Sequence, residues 1–364
     1  MKKILLIADA QSSHTQKWAE AVKALGFDVM IFSFTVPLAD QYLNTNIKLA
    51  TDQNLVKNEQ FNQSDLRKSS YIKHLRQLKV VIKEFKPDLV HAHYATSYGL
   101  MAALSGFRPF IISVWGSDVF DFPNRSFFHN RILRFNLKNA ECIVSSSKIM
   151  ADETRKYFKG KVEVIPFGID LNKYKRTTSR GKSLTIGIIK SMEDHYGIED
   201  LILAFKIVRE KYSDIGLKLL LIGGGTKLEK YRDQVSRNGL EKFVELRGKI
   251  PQQDVPSAHN EIDIFVNPSV HESFGVSVLE ASATENPVIV TNVGGLKEVV
   301  VDHYSGLIVE QGSVGELVKA ISHFIENREL IDIFGKNGRQ FVTERYNLKN
   351  GYDQIHNLYL SFLK

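Results

Sequence analysis

Short apolar runs alternate with amphipathic stretches along the whole chain. In the first half the runs fall at 4–8, 29–34, 89–92, 110–114, 142–145 and 162–165. The second half repeats the arrangement at 184–189, 218–222, 244–246, 262–266, 288–290 and 306–309. Brief apolar runs bounded by turn residues predict buried strands, and strands alternating with helices predict parallel sheets covered on both faces. Two such blocks predict two doubly wound α/β domains. The junction falls near Pro166-Phe167-Gly168-Ile169-Asp170, ahead of a polar, basic stretch at 173–182. A last helical stretch covers 350–364. No repeat of solenoid length and no low-complexity tract interrupts the pattern.

The most informative polar positions lie at 267–281, Asn-Pro-Ser-Val-His-Glu-Ser-Phe-Gly-Val-Ser-Val-Leu-Glu-Ala. The segment follows an apolar run and opens a helix at about Gly275. A helix N-terminus carries unpaired N–H groups and the positive end of the dipole, so it attracts phosphate. Gly275 leaves the main chain open to close approach. Glu272 stands on the turn. Glu280 stands inside the helix, where its oxygens can accept hydrogen bonds from sugar hydroxyls. Together these features predict a site for a diphosphate-linked sugar. Two glutamates at this spacing, taken alone, read as a helix cap and a solvated helix residue; the surrounding string decides against that.

That string resembles the E-x7-E motif of retaining glycosyltransferases of the GT-B fold, and of glycosyltransferase family 4 among them. The match takes in Pro268-Ser269 before the motif and Ser273-Phe274-Gly275 inside it. The resemblance implies two Rossmann-like domains facing a central cleft: an acceptor domain at 1–168, to which the helix 350–364 crosses back, and a donor domain at 169–349. It implies that Glu272 contacts the donor sugar, that Glu280 binds the ribose, and that amides of Ser273, Phe274 and Gly275 hold the diphosphate. The family's donor domain opens with G-R-L, three residues and K-G, whose Arg and Lys hold phosphates. Here Lys190 stands for the Arg, and Tyr196 precedes Gly197 where Lys is usual. With one extra residue allowed, His195 keeps the spacing from Lys190. A Lys can replace an Arg at phosphate without its bidentate geometry; read alone, Lys190 is a surface lysine at a strand end. Gly223, Gly224 and Gly225 end an apolar strand and would line a nucleotide crevice. Gly294-Gly295 resembles the family's glycine-pair loop, a turn facing the diphosphate or a plain strand-to-helix turn.

Composition is ordinary for a globular protein: 364 residues, 43% hydrophobic and 24% charged, enough chain for two full cores. The single cysteine, Cys142, excludes an internal disulfide and reads as a buried strand residue in a reducing compartment. The chain starts on a strand after two lysines, with no signal-peptide pattern, and no run is long enough to span a membrane. A cytoplasmic setting follows, with peripheral attachment at the inner face of the plasma membrane as a further expectation.

Charge changes the picture. Residues 1–170 carry 23 Lys and Arg against 16 Asp and Glu, so the whole net charge of +7 sits in the first half. Basic residues concentrate at 67–86, from Arg67 onward. There Tyr71, Leu75, Leu78, Ile82 and Phe85 form an apolar helical stripe beside a basic one of Arg76, Lys79, Lys83 and Lys86. A solvated helix edge and an anionic membrane surface both fit. A second stretch adds aromatics to charge: Phe120, Phe122, Arg125, Phe127, Phe128, Arg131, Arg134 and Lys138. No nucleic-acid-binding signature accompanies either.

The loop after the first strand, Asp9 to Trp18, has no glycine, which argues against a dinucleotide-binding G-x-G-x-x-G. It resembles a family variant, S-I-H-T-x-x-W, and would turn Ser12, Ser13 and His14 toward the cleft. His91 and His93 share one face of a strand with no third metal ligand beside them; His93 lines the acceptor pocket in this reading, and His91 packs. Trp115-Gly116-Ser117-Asp118 resembles the family's H-G-S-D, with Trp115 in place of the His. Asp118 either holds sugar hydroxyls or caps the following helix.

The resulting expectation is a retaining transfer from a nucleotide sugar, UDP before GDP, to a hydroxyl of a glycan or lipid-linked acceptor. It assigns Glu272 and Lys190 to catalysis, and Gly223, Gly225, His195, Ser273, Phe274, Gly275 and Glu280 to donor binding. His14, His93, Trp115 and Asp118 go to the acceptor side. In the family the departing phosphate takes the acceptor proton, so no further base is implied. No D-x-D motif occurs, and neither metal nor other cofactor is expected. A catalytically weak homologue that binds a partner or a membrane is the alternative, motivated by Lys190 and Tyr196.

Overall fold

The computed structural model describes residues 1–37, 41–43, 45–51 and 68–363, with backbone alone at 68–72. The chain divides into two compact units, Met1–Pro166 with Gly351–Lys364, and Phe167–Asn350. Among the described residues the first holds seven strands: β1 (Lys3–Ile7), β2 (Asp28–Ser33), β3 (Lys48–Thr51), β4 (Leu89–His93), β5 (Phe110–Val114), β6 (Cys142–Ser145) and β7 (Val162–Val164). Their order is β3-β2-β1-β4-β5-β6-β7. The second holds β8 (Leu184–Ile189), β9 (Leu217–Ile222), β10 (Val244–Gly248), β11 (Ile264–Asn267), β12 (Val288–Thr291) and β13 (Gly306–Val309), ordered β10-β9-β8-β11-β12-β13. Every pairing between these strands is parallel.

All twelve apolar runs form strands. Five of the mid-sheet strands, β4, β5, β6, β11 and β12, are buried throughout, as two-sided helix cover requires. β3 was not foreseen. Its sequence, Lys-Leu-Ala-Thr, is half exposed and pairs on one side only, so it needs no apolar run. Its Lys48 reaches the carboxylate of Asp28 at 2.8 Å.

Side chains of a strand alternate between faces. In the first sheet Val90, Ala92 and Ile112 meet Leu78, Phe85, Tyr98, Leu133 and Leu137 of the helices Lys68–Phe85, Ser97–Ser105 and Phe127–Asn139. On the other face His91 meets Trp18 of the helix Ser13–Ala24 and Tyr359 of the helix Leu348–Phe362. On Lys68–Phe85, Leu78 and Phe85 are buried, while Arg76, Lys79 and Lys83, with Lys86 just beyond the helix, are exposed. Arg67 lies outside the described residues, as does the side chain of Tyr71. Among the described residues no helix is long and apolar enough to cross a membrane.

In each sheet the connections change direction once. β1 lies between β2 and β4, and β8 between β9 and β11. Successive crossovers there leave for opposite faces, which opens a crevice beyond the strands' C-terminal ends.

Candidate functional site

Lys190 follows β8, and Glu272 lies on the turn after β11, so the second sheet's switch point brings them together. Lys190 Nζ donates to Glu272 Oε2 at 2.5 Å, with side chains 15% and 11% exposed. The ammonium also lies 4.6 Å from the centre of the Tyr196 ring. Burial is the largest influence on Lys190 and opposes its charge. Glu272, Tyr196 and Glu280 together outweigh it and hold the pKa above the usual lysine value. Lys190 is therefore a fixed cation with a counter-ion already in place.

Glycines allow the loops around this pair to touch. A side chain at Gly223 would collide with the carbonyl of Lys190, and one at Gly225 with that of Met192. The turn carrying Glu272 is braced similarly: Gly295 N–H donates to the Glu272 carbonyl at 3.0 Å, and a side chain at Gly294 would strike that same oxygen. The glycine pair thus buttresses Glu272. Gly275, at φ 107°, ends the turn and precedes the helix Val276–Ala283. The space beside its α-carbon is filled by Leu296 and Val299, so it permits helix packing where the sequence suggested an approach for ligand. Phe274 is buried against Phe167 and Tyr346, leaving its main chain for any ligand. Ser273 is half-buried beside it.

Glu280 lies inside that helix, buried. Tyr174 O–H donates to its Oε1 at 2.7 Å, and His259 Nε2 lies 3.7 Å from its Oε2. Burial, then the charge of Glu280, pushes the Tyr174 hydroxyl far above its usual pKa, so it stays a donor. In the first turn the hydroxyl of Ser277 is buried and has no hydrogen-bond partner among the described residues. His195 is exposed; its ring lies 4.0 Å from that of Tyr196, and its carbonyl accepts from Val270 N–H at 2.9 Å. It thus braces the turn before Glu272 through its main chain.

At the first sheet's switch point the groups are aromatic, and burial holds His91 and His93 unprotonated. His91 bonds Tyr359 O–H through Nδ1 at 2.7 Å and Ser113 Oγ through Nε2 at 2.8 Å, while Trp18 Nε1–H donates to Tyr359 at 2.9 Å. His93 is 3% exposed, and among the described residues neither ring nitrogen has a hydrogen-bond partner. Its ring lies 5.2 Å from those of Trp18 and Trp115, and His14 lies 5.3 Å from Trp115. Burial, then repulsion from His14, lowers the His93 pKa to about 3.

Asp118 departs from the sugar-binding expectation. It is wholly buried, and its oxygens accept from the amides of Trp115 (3.0 Å), Gly116 (2.9 Å) and Ala95 (2.8 Å). It pins the loops after β4 and β5, and no oxygen faces solvent. Burial raises its pKa despite those amides.

The two units match two family models in turn. That described as Glycosyl transferase 4-like matches residues 3–147, and that of the Glycosyl transferases group 1 matches residues 172–341. An uncharacterized glycosyltransferase of Methanocaldococcus jannaschii is 30% identical over 266 residues, 72% of either chain. The chain is a group 1 glycosyltransferase. A capsular polysaccharide biosynthesis glycosyltransferase of Staphylococcus aureus is 30% identical over 54% of this chain and 52% of its own. The crystal structure of Anabaena HepE in complex with UDP-glucose superposes with a TM-score of 0.81 at 19% identity, over 99% of this chain and 100% of that one. It shares the GT-B fold.

The transferase therefore brings together Lys190, Glu272, Gly223, Gly225, Ser273, Phe274, Gly275 and Glu280 in one unit, and His14, His93 and Trp115 in the other. It leaves the His195 side chain at the surface and takes Asp118 into the interior. Sequence reasoning missed Tyr174 and His259, which flank Glu280 from 106 and 21 positions away. No local pattern marks them. Ser277 was visible within the motif, but only its burial without a partner singles it out. Among the described residues no three His, Cys, Asp or Glu cluster as metal ligands would.

Proposed function

We propose that this glycosyltransferase moves a sugar from a nucleoside diphosphate, UDP before GDP, to an acceptor hydroxyl with retained configuration, in assembly of a surface or lipid-linked glycan. The observation that carries the reading is the half-buried Lys190–Glu272 pair at the second sheet's switch point, beside the N-terminus of Val276–Ala283. In the reaction the bond from the anomeric carbon to the diphosphate breaks, a bond to the acceptor oxygen forms, and the acceptor proton passes to the departing phosphate. Charge then grows on the diphosphate. Lys190, on exchanging Glu272 for the phosphate, would receive it together with the first-turn amides and the Ser277 hydroxyl. Glu272, released from Lys190 by the phosphate, contacts the sugar, and Glu280 accepts from the ribose hydroxyls. His14, His93 and Trp115 supply an aromatic surface for the acceptor. The UDP-glucose held by HepE and the polysaccharide role of the Staphylococcus relative support the donor class and the setting.

The test is thermal stabilisation by UDP, GDP and ADP. A ligand at a hundred times its dissociation constant adds about 2.7 kcal/mol, enough to rank the three. UDP stabilises most, Glu280→Ala abolishes the effect, and Tyr174→Phe weakens UDP roughly fivefold by freeing the carboxylate. Equal UDP affinity in wild type and Glu280→Ala would remove the ribose assignment. A weak homologue remains the second reading, because Lys190 is already neutralised and Tyr196 supplies no second cation. Hydrolysis of UDP-glucose by the wild type excludes it.

A further inference from the structure

The helix Phe127–Asn139 has two apolar edges. Leu133 and Leu137 enter the first unit's core. On the outside, Phe127 is 69% exposed, Phe128 73% and Phe135 45%. Phe127, Arg131 and Phe135 recur every four residues, so they share one stripe. The Arg131 guanidinium lies 5.5 Å from the Phe127 ring. The start of the helix is fixed: Ser126 Oγ accepts from His129 N–H and bonds the His129 ring at 2.6 Å, and that ring packs edge-on to buried Phe122. The two phenylalanines in the first turn are thus displayed by a rigid scaffold.

What surrounds them is cationic. Phe127–Asn139 contains no acidic residue. The helix Ser97–Ser105 packs against it and against Lys68–Phe85 on its other side, and brings Leu104, 41% exposed, to the layer. The three helices carry eight Lys and Arg against one acidic residue, Glu84. Lys68–Phe85 is the more basic, but among its described side chains Val80 is the only large apolar one exposed. Those described side chains offer attraction with little to insert. The aromatic helix has both, and interfacial binding needs both.

We propose that Phe127–Asn139 docks this glycosyltransferase on an anionic bilayer. Phe127 and Phe128 enter the boundary between headgroups and acyl chains, while Arg125, Arg131 and Lys138 meet lipid phosphates and Lys68–Phe85 adds longer-range attraction. This rests on the peripheral attachment expected from the sequence and reassigns its anchor from the basic to the aromatic helix. Charge selects the occupant. A second copy would set this cationic layer against its own like, whereas phosphatidylglycerol is complementary.

Vesicle sedimentation tests the assignment with wild type, Phe127→Ser/Phe128→Ser and Lys79→Glu/Lys83→Glu. The wild type sediments with vesicles containing phosphatidylglycerol, less so as salt rises, and stays in solution with phosphatidylcholine alone. The phenylalanine variant loses roughly tenfold or more in apparent affinity, because burying one such ring is worth about that factor. The lysine variant loses less. Stabilisation by UDP, measured on the same samples, is unchanged in both variants, which shows that they are folded. If the wild type lacks that stabilisation yet sediments as stated, the donor reading fails and the docking stands. Wild type that ignores anionic vesicles at low salt overturns the proposal. So does a phenylalanine variant that binds as well as wild type, or a concentration-dependent dimer that the variant abolishes, which would give the surface to a second copy.

Discussion

The two switch points are built to the same topology from opposite chemistry. Beyond β8 and β11 the groups are charged and paired, with Lys190 on Glu272. Beyond β1 and β4 they are aromatic rings: His93 held unprotonated, with Trp18, Trp115 and His14 around it. The difference follows from what each crevice can hold. A diphosphate needs fixed positive charge, and a buried cation is tolerable only with a counter-ion waiting. On the proposed function the first crevice takes an acceptor hydroxyl, which needs no fixed cation opposite it. Burial alone cannot tell the sites apart; the availability of a partner for each polar group does.

The largest effects come from breaking the charged side. Lys190→Ala leaves Glu272 buried without its partner, a loss of about 3 kcal/mol or more, and cuts transfer roughly a hundredfold or beyond. Calorimetry separates phosphate recognition from plain destabilisation, since UDP affinity falls while uridine affinity does not. Glu272→Ala acts in the opposite sense on binding. It frees Lys190, so UDP affinity is kept or rises while turnover collapses. Equal loss of UDP by both variants would mean that the pair is structural.

Next is the buried carboxylate of the aromatic side. Asp118→Ala strands three amides, and each unsatisfied buried group costs about 1–3 kcal/mol. Denaturation should show about 3 kcal/mol or more of lost stability, with UDP affinity unchanged. Full stability with lost acceptor turnover would return Asp118 to the sugar-binding role expected from the sequence.

A smaller effect tests the neutrality of the histidines. Burial lowers the His93 pKa from 6.5 to about 3 and holds that of His91 well below its usual value. Between those values the unfolded chain binds protons that the native state does not. Stability is therefore lost as pH falls below about 6.5, by about 1.4 kcal/mol per pH unit for each histidine. His93→Leu should lose about 2 kcal/mol less than wild type between pH 7 and pH 5. Matching acid slopes in guanidinium titrations would show that His93 is protonated in the native state.

Much of this contrast was legible from the chain, and the failures share a cause. The strands were readable because each is a continuous apolar run, a local signal; β3 escaped because an edge strand need not be one. Lys190, Glu272 and Glu280 were readable because motif spacing and strand ends are also local. Asp118 went the other way because its acceptor capacity is spent on amides of two separate loops. Tyr174 and His259 approach Glu280 only through the tertiary fold. At the glycines the sequence located the close approaches but not the loops that make them, since it cannot say which neighbour fills the space beside an α-carbon.

The smallest expected effect concerns metal, and it sharpens the charged side of the comparison. A diphosphate leaving group can be neutralised by a divalent cation or by protein groups. Here the protein offers Lys190, the helix N-terminus and Ser277, while Glu272 is committed to Lys190 and Glu280 to Tyr174. A cation would have to take a carboxylate from one of those bonds, and the sequence carries no D-x-D pair to spare. Transfer should therefore survive EDTA with little change in kcat. Modest stimulation by magnesium fits this account, because a cation can help the diphosphate product depart. Activity abolished by EDTA and restored by manganese or magnesium would not fit. It would mean that the pair opens to bind metal, and the second switch point would then be a cation site assembled only when substrate arrives.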